Sequence, residues 1–427
     1  MAELSRRKFI LGTGALAVGA GSVSTILAAC SSNSSPSPAS SSTTSPASSA
    51  VTSPGSSAAS SSEPFKIGAL IPITGFETHV GQSMKVATEI AVDEINAAGG
   101  IQGRQIQLIV EDEAGDPAVA VDKARKLIQQ DGVTVIVGTL TSSVRNAVVD
   151  TTSKAKVMLF NPTYYEGGLC QDYFFSTGAL PNQQIEPFMP WIYENLGKSM
   201  YLIGSYYVWP RQSNAFVRAY FEKLGGKIIG EEYLPLGTTD FSASIKRILD
   251  AKPDVLYPLV AGTDGITFWK QLGGYNFTGA RASHSVSEAI VPGLDAAVAK
   301  GIVSASPYFM TVDNPANKAF LAEYHKRLDE TAYVDTFGEG LYDAIHLINE
   351  GAKRAGSLEV GQLMAGIKGA SFDAPQGMMT VDSATGQASL GFHIAEIQGN
   401  TWKDFKIVQS VSDIAPAPDC GKNPPAA

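Results

Sequence analysis

The chain has 427 residues, 44% of them hydrophobic, and a formal net charge of −9. That length supports two cored domains, and the acidic balance argues against nucleic acid as the partner, because phosphate binding requires clustered Lys and Arg. The three cysteines (Cys30, Cys170, Cys420) and the five histidines are scattered, with no Cys-x-x-Cys and no His-Glu-x-x-His, so neither a metal site nor a thioredoxin-type centre is expected.

The N-terminus reads as an address. Ser5-Arg6-Arg7-Lys8-Phe9-Ile10 precedes a weakly apolar run rich in Gly and Ala, and Leu27-Ala28-Ala29-Cys30 follows. Basic residues, an apolar stretch and small residues at a cut site make an export signal, and the arginine pair resembles the twin-arginine type. The Leu-Ala-Ala-Cys sequence resembles a lipobox. It predicts lipidation of Cys30, an extracytoplasmic location and attachment to the membrane surface through that lipid. Residues 1–29 are therefore expected to be a twin-arginine lipoprotein signal peptide. Residues 31–62 are almost wholly Ser, Thr, Pro and Ala, without charge, and cannot bury enough apolar area to fold. A disordered tether over 30–63 is expected.

The folded part starts near Pro64. Residues 65–71 form a short apolar strand and 72–81 a loop. A helix then runs to about Ala98, with Met84, Ala87, Ile90, Ala91 and Ile95 on one face and Gly99-Gly100 as its stop. A strand over 105–110 and a helix opened by Asp116-Pro117 follow. The β-branched run 133–138 is a buried strand that turns at Gly138 into Thr139-Leu140-Thr141-Ser142-Ser143. Ser142 or Ser143 is expected to cap the next helix, to Lys154. Such a junction offers unpaired N–H groups beside hydroxyls on a rigid edge, which suits a small polar ligand.

After a strand over 156–160, a second series has strands at 200–203, 227–234 and 255–259, with helices near 211–224 and 241–250. Another strand and loop lead to 304–309. The pattern turns helical over 314–367, and strands at 378–381, 393–398 and 405–408 close the chain. Alternating strands and helices predict parallel sheets covered on both faces, with a ligand beyond the C-terminal strand ends. The loops there carry Thr74, Ser142, Asn161 to Tyr165, Ser205 to Arg211, Ala261 to Asp264, and Ser285 to Glu288. Of Tyr164 and Tyr165, and of Tyr206 and Tyr207, one of each pair is expected to pack inward while the other faces the cleft. No Gly-x-Ser-x-Gly, phosphate loop or Cys/His site is present, so no catalytic residue and no cofactor is expected. In an exported chain Cys170 and Cys420 are candidates for a disulfide.

Seven segments, in order, resemble one family: Glu94 to Gly103, Asn161 to Gly167, Pro181 to Gln184, Gly204 to Arg211, Glu231 to Gly237, Asp240 to Ser242 and Ser371 to Gly377. Together they resemble the urea-binding and short-chain-amide-binding proteins of ABC transporters, within the leucine/isoleucine/valine-binding class with the type I periplasmic fold. The resemblance covers about residues 65–410. It implies an α/β fold of two Rossmann-like lobes with parallel sheets, joined by three crossovers near 181–185, 307–312 and 371–377. Lobe 1 would hold 64–183 and 312–372, lobe 2 would hold 184–311 and 373–412, and 413–427 would be a tail.

The resemblance also implies a function. The lobes close over a small neutral polar ligand, urea or a short-chain aliphatic amide, without chemistry on it, and present it to the membrane subunits of an ABC permease. The resemblance carries over Ser142 and Thr163 from the first lobe and Tyr207 and Thr263 from the second as ligand-binding residues; Tyr164 and Trp209, which stand where the relative has proline and tyrosine, are expected to bind with them. Leu140, Asn161 and Trp209 depart from the amide-binding pattern and bear on which ligand is taken. The alternative is a branched-chain or other amino acid, whose ammonium needs an acidic partner, and Glu288 or Asp264 is the candidate.

Overall fold

A computed structural model describes residues 63–421. The signal peptide, Cys30 and the tether up to residue 62 lie outside the described residues. Among the described residues no helix is long and apolar enough to cross a membrane.

The first series is β1 (Phe65–Ile71), α1 (Thr78–Ala97), β2 (Ile106–Asp112), α2 (Pro117–Lys126), β3 (Val135–Gly138), α3 (Ser142–Ala155), β4 (Met158–Asn161) and β5 (Phe174–Ser176). Its five strands are all parallel in the order β2-β1-β3-β4-β5. Both faces are covered, and the strand sequences show why. Ile67, Ala69 and Ile71 of β1 and Val135 and Val137 of β3 enter one core, with α1. Leu70 and Ile136 enter the opposite core, with α2 and α3. The side chains alternate across the sheet, and each buried aliphatic contributes roughly 1.5–3 kcal/mol. Gly138, with φ 122°, is where β3 crowds β1: a Cβ there would lie 2.0 Å from the Leu70 carbonyl oxygen.

The second series is α4 (Pro181–Asn195), β6 (Ser199–Ser205), α5 (Val208–Lys223), β7 (Lys227–Leu234), α6 (Ser242–Ala251), β8 (Val255–Leu259), α7 (Gly262–Gly273), β9 (Ala280–Ser283), α8 (Ala296–Ala299) and β10 (Ile302–Ser306). The remainder is α9 (Pro315–Arg327), α10 (Thr336–Ala355), α11 (Val360–Ile367), the hairpin β11 (Ser371–Ala374) and β12 (Gly377–Thr380), then β13 (Leu390–Ile397) and β14 (Phe405–Ile414). The second sheet is ordered β14-β13-β10-β9-β8-β6-β7. From β7 to β10 it is parallel and repeats the first sheet's order, and β13 and β14 add antiparallel strands.

Three local expectations change. The cap of α3 is Thr141, whose backbone is extended and whose side chain accepts from Val144 N, so Ser142 is the first helical residue. Residues from Gly262 on, expected as a loop, form α7. The third crossover falls later than 371–377. Ala374, Met379, Val381 and Ala388 pack into the first core, Ser176 bridges to Gln387, and the chain joins the second sheet only at β13.

Beyond β14 the chain returns to the first sheet. Asn182 Nδ2 donates to Ala415 O, Gln183 Nε2 donates to Ile414 O, and Ala417 N donates to Asn182 Oδ1. Cys420 is disulfide-bonded to Cys170, in the loop between β4 and β5, across 250 residues of sequence. A cross-link that closes so long a loop restricts the unfolded chain strongly. Replacing both cysteines by serine is expected to lower stability by about 2–5 kcal/mol. Guanidinium unfolding of the oxidised protein and the double variant checks this, and equal midpoints would show that the hydrogen bonds alone hold the tail.

Candidate functional site

In a sheet ordered 2-1-3-4-5 the helices after the first and third strands leave on opposite faces, which opens a crevice beyond their C-terminal ends. Here that crevice lies past β1 and β3 in the first sheet and past β6 and β8 in the second. The two face one another. Between them is a small cavity, about 540 Å³ of space between atoms when its open mouth is included.

Each wall comes from strand ends. The segment after β1 brings Glu77, His79 and Val80. The turn after β3 brings Leu140, Thr141 and Ser142. The segment after β4 brings Thr163 and Tyr164. From the second sheet come Tyr207 and Trp209 after β6, Val260 to Gly262 after β8, and Ser285, Ser287 and Ile290 after β9. Phe337, in the first turn of α10, closes one side. At Gly262 a Cβ would lie 2.7 Å from Phe76 Cδ2, so the missing side chain lets the start of α7 approach the β1 segment.

Aromatic rings form much of the wall. Tyr164 lies 5.5 Å from Trp209 and 4.9 Å from Phe337 between ring centroids, and Tyr207 lies 6.2 Å from Trp209. Burial raises the ionisation of both phenols far above the ordinary range, so they stay protonated. No hydrogen bond within the described residues takes up either hydroxyl.

The polar groups divide into donors and acceptors. Thr141 Oγ1 satisfies Val144 N. The N–H groups of Ser142 and Ser143, at the start of α3, make no hydrogen bond to the protein among the described residues, as the first turn of a helix requires of groups left to a ligand or water. Ser142 Oγ donates to Glu166 Oε2 at 2.6 Å, and Glu166 Oε1 pairs with Arg145 Nη2 at 2.6 Å.

Glu77 and His79 are the ionisable acid and base on the wall. Burial, reinforced by the charges of Asp335 and Asp264, pushes Glu77 up to about 8. Burial pulls His79 down to about 4. Both shifts favour the neutral forms near pH 7, with His79 Nδ1 3.7 Å from Glu77 Oε2, and no Lys or Arg lines the cavity.

Of the residues expected from sequence, Ser142, Thr163, Tyr164, Tyr207 and Trp209 meet in this cavity. Thr263 does not line it: it is exposed in the first turn of α7, and its neighbours Ala261 and Gly262 form the wall. Glu288 does not line it either. It is fully buried behind Ser287, its Oε1 accepting from Met310 N at 2.8 Å. Asp264 is held aside by Gly237 N at 2.7 Å. Leu140 lines the cavity, whereas Asn161 lies beneath it, donating to Thr163 O. Tyr165 packs inward and Tyr164 faces the cavity, but Tyr206 is 60% exposed rather than packed. Sequence reasoning passed over Glu77 and Phe337, which carry no local signal, and did not single out Ser285, Ser287 or His79 from the loops that hold them.

A family model described as "Periplasmic binding protein" matches residues 64–402. The "Leu/Ile/Val-binding protein homolog 3" of Brucella melitensis biotype 1 is 26% identical over 366 residues, which are 80% of this chain and 92% of that protein. The branched-chain amino acid transporter substrate binding protein of Streptococcus pneumoniae, solved with isoleucine, superposes with a TM-score of 0.73 at 25% identity, covering 82% of this chain and 99% of that one. A solute binding protein of an ABC transporter from R. palustris, solved with benzoate, also gives a TM-score of 0.73, at 21% identity over 84% of this chain and 99% of that one.

The buried acids make stability depend on pH. Burial pushes Glu77, Glu113 and Glu288 up to about 8. Between pH 4.5 and 8 the folded state therefore binds more protons at these groups than the unfolded state, and stability falls as pH rises. His79 and His393 are lowered to about 4 and His284 to about 3 by burial. These act in the opposite sense, but only below about pH 6.5. From pH 6.5 to 8 the carboxyls act alone. Guanidinium unfolding is expected to show stability falling by on the order of 1 kcal/mol or more across that window, and less steeply in Glu113→Gln. A rise in stability would contradict the protonated state of these acids.

Proposed function

We propose a ligand class for this chain, which belongs to the periplasmic binding protein family and is a solute-binding protein of an ABC importer in the branched-chain amino acid class. It is an exported binding protein, not an enzyme. The ligand is a small neutral polar molecule, urea or a short-chain aliphatic amide, held between the two sheets and handed to the permease subunits. One observation carries this reading: no Lys or Arg lines the cavity, and burial pushes Glu77 up to about 8 and His79 down to about 4, towards their neutral forms. A free carboxylate would meet no cationic side chain there. A planar amide meets free phenols, hydroxyls and the N–H groups of α3 for its polar edge, and rings for its faces.

The second reading is an α-amino acid with an apolar side chain. It is favoured by the Glu77 carboxyl in the same cavity as the start of α3. Ionised Glu77 would receive the ammonium and the helix start the carboxylate. Relatives named for leucine, isoleucine and valine support it. In this reading binding releases a proton from Glu77, whose ordinary state at pH 7 is the acid.

Calorimetry with urea, acetamide, formamide and leucine separates the two. Binding of urea or an amide, with the same observed enthalpy in buffers of different ionisation enthalpy, is the expected result. Leucine binding alone, with proton release near neutral pH, replaces it by the amino-acid reading. Under the first reading Tyr207→Ala weakens the amide more than tenfold, since it removes a ring face and a hydroxyl together.

The anchor is part of the proposal. Lipid on Cys30, after cleavage of 1–29 and ahead of the 30–63 tether, keeps the two lobes beside the permease. Within the lobe boundaries we assign, residues 374–389 go with the first lobe rather than the second, since they pack in its core. Cys30→Ala is expected to move the protein from the membrane fraction to the soluble extracytoplasmic fraction, and retention at the membrane would remove the anchor from the model.

A further inference from the structure

We infer that the buried pair Arg145–Glu166 sets the hydrogen-bond polarity of the cavity by fixing Ser142 as an acceptor towards the ligand, which selects ligands that bring N–H donors against those that bring a carboxylate. The inference rests on the cavity being the ligand site, as the preceding reading takes it, and adds to it residues that do not touch the ligand.

Arg145 is 1% exposed and Glu166 is 9% exposed. Arg145 Nη2 donates to Glu166 Oε1 at 2.6 Å, and the guanidinium lies 4.4 Å from the ring centroid of Tyr165. A carboxylate in such a pair only accepts. The Ser142 hydroxyl, 2.6 Å from Oε2, must therefore donate to it. Arg145 Nη1 donates to the same Ser142 Oγ at 3.2 Å. A hydroxyl has one proton and two lone pairs. Its proton points to Glu166 and one lone pair to Arg145, so a lone pair is what remains for the cavity.

Two other wall hydroxyls are oriented in the same sense. Thr163 Oγ1 donates to Thr139 O at 3.0 Å. Ser283 Oγ donates to Pro258 O, so the Ser283–Ser285 hydrogen bond of 2.9 Å takes its proton from Ser285. Ser142 and Thr163 from the first sheet and Ser285 from the second thus turn lone pairs towards the ligand. The amide edge of urea or acetamide, or an ammonium, brings the N–H groups that such a wall requires. A carboxylate brings only lone pairs and meets lone pairs at these three hydroxyls. Glu166 and Arg145 are positioning residues, acting through Ser142.

The test compares acetamide with acetate by calorimetry and competition on the full chain at pH 7, in wild type, Glu166→Gln and Ser142→Ala. In Glu166→Gln the amide oxygen stays on Arg145, which demands an acceptor, and the NH2 turns to Ser142. Ser142 then accepts from both neighbours and sends its own proton into the cavity. The preference for acetamide over acetate is expected to fall tenfold or more, mostly through a gain for acetate. Ser142→Ala is expected to weaken acetamide about tenfold and to leave acetate no tighter. A folded Glu166→Gln with an unchanged preference overturns the inference, as does an unchanged acetamide affinity in Ser142→Ala if Glu166→Gln does not fold. Should wild type bind leucine and neither urea nor acetamide, the ligand reading falls by itself. Leucine and 4-methylpentanoate then replace the two probes, and an unchanged preference in Glu166→Gln again overturns the inference.

Discussion

The site depends on one topological constraint. A parallel sheet ordered 2-1-3-4-5 leaves a crevice past its first and third strands because the following helices leave on opposite faces. Each of the two sheets has that order, and each crevice alone is an open notch. Facing one another, they become a cavity whose walls are strand ends. The wall is therefore set by rigid elements: the ends of β1, β3 and β4 on one side and of β6, β8 and β9 on the other. Gly138 and Gly262 serve this geometry at opposite ends. The first lets β3 lie against β1, and the second lets α7 start beside Phe76.

Enclosure changes the chemistry of what is enclosed. A carboxyl removed from water without a cation ionises with difficulty, and Glu77, Glu113 and Glu288 all meet that condition, each lying close to 8. The one buried carboxylate next to the cavity with a cation of its own, Glu166, has it in Arg145 at 2.6 Å. The protein thus places a formal charge pair just behind the wall while the wall itself stays neutral. A buried pair of this kind contributes little to stability on balance, because desolvation offsets its attraction. Its value lies in the direction it gives to the neighbouring hydroxyl.

Much of the fold was legible because parallel strands buried on both faces are short, mainly apolar runs, and 65–71, 133–138 and 255–259 are such runs. The α3 cap was misplaced by one or two residues because Thr141, Ser142 and Ser143 are all competent caps, and only the backbone decides among them. The hairpin at 371–380 read as a crossover because nothing local tells which core receives Met379 and Val381. In the site, strand ends marked the loops that hold Ser142, Thr163, Tyr164, Tyr207 and Trp209, and the family resemblance singled these residues out within them. Glu288 was not placed correctly because it shares its loop with Ser285 and Ser287. Those residues face the cavity, whereas Glu288 turns towards Met310. Phe337 comes from a helix far along the chain, and its arrival depends on α10 packing against α1.

The acids around the cavity bear on closure. Glu77 stands on the β1 side and Asp264 on the α7 side, and Asp264 adds to the rise of Glu77 together with Asp335. Enclosing Glu77 between these sides removes it from water with no Lys or Arg on the wall to offset the loss, which favours its protonated form. Protonated, Glu77 spares the enclosed wall an unpaired charge. Under the proposed reading, a ligand whose polar edge meets Glu77 and the lone pairs of Ser142, Thr163 and Ser285 makes its full set of hydrogen bonds only where both walls reach it. A differential of this kind is what couples occupancy to shape. On that reading the wall that selects the ligand also favours the liganded arrangement of the two sheets.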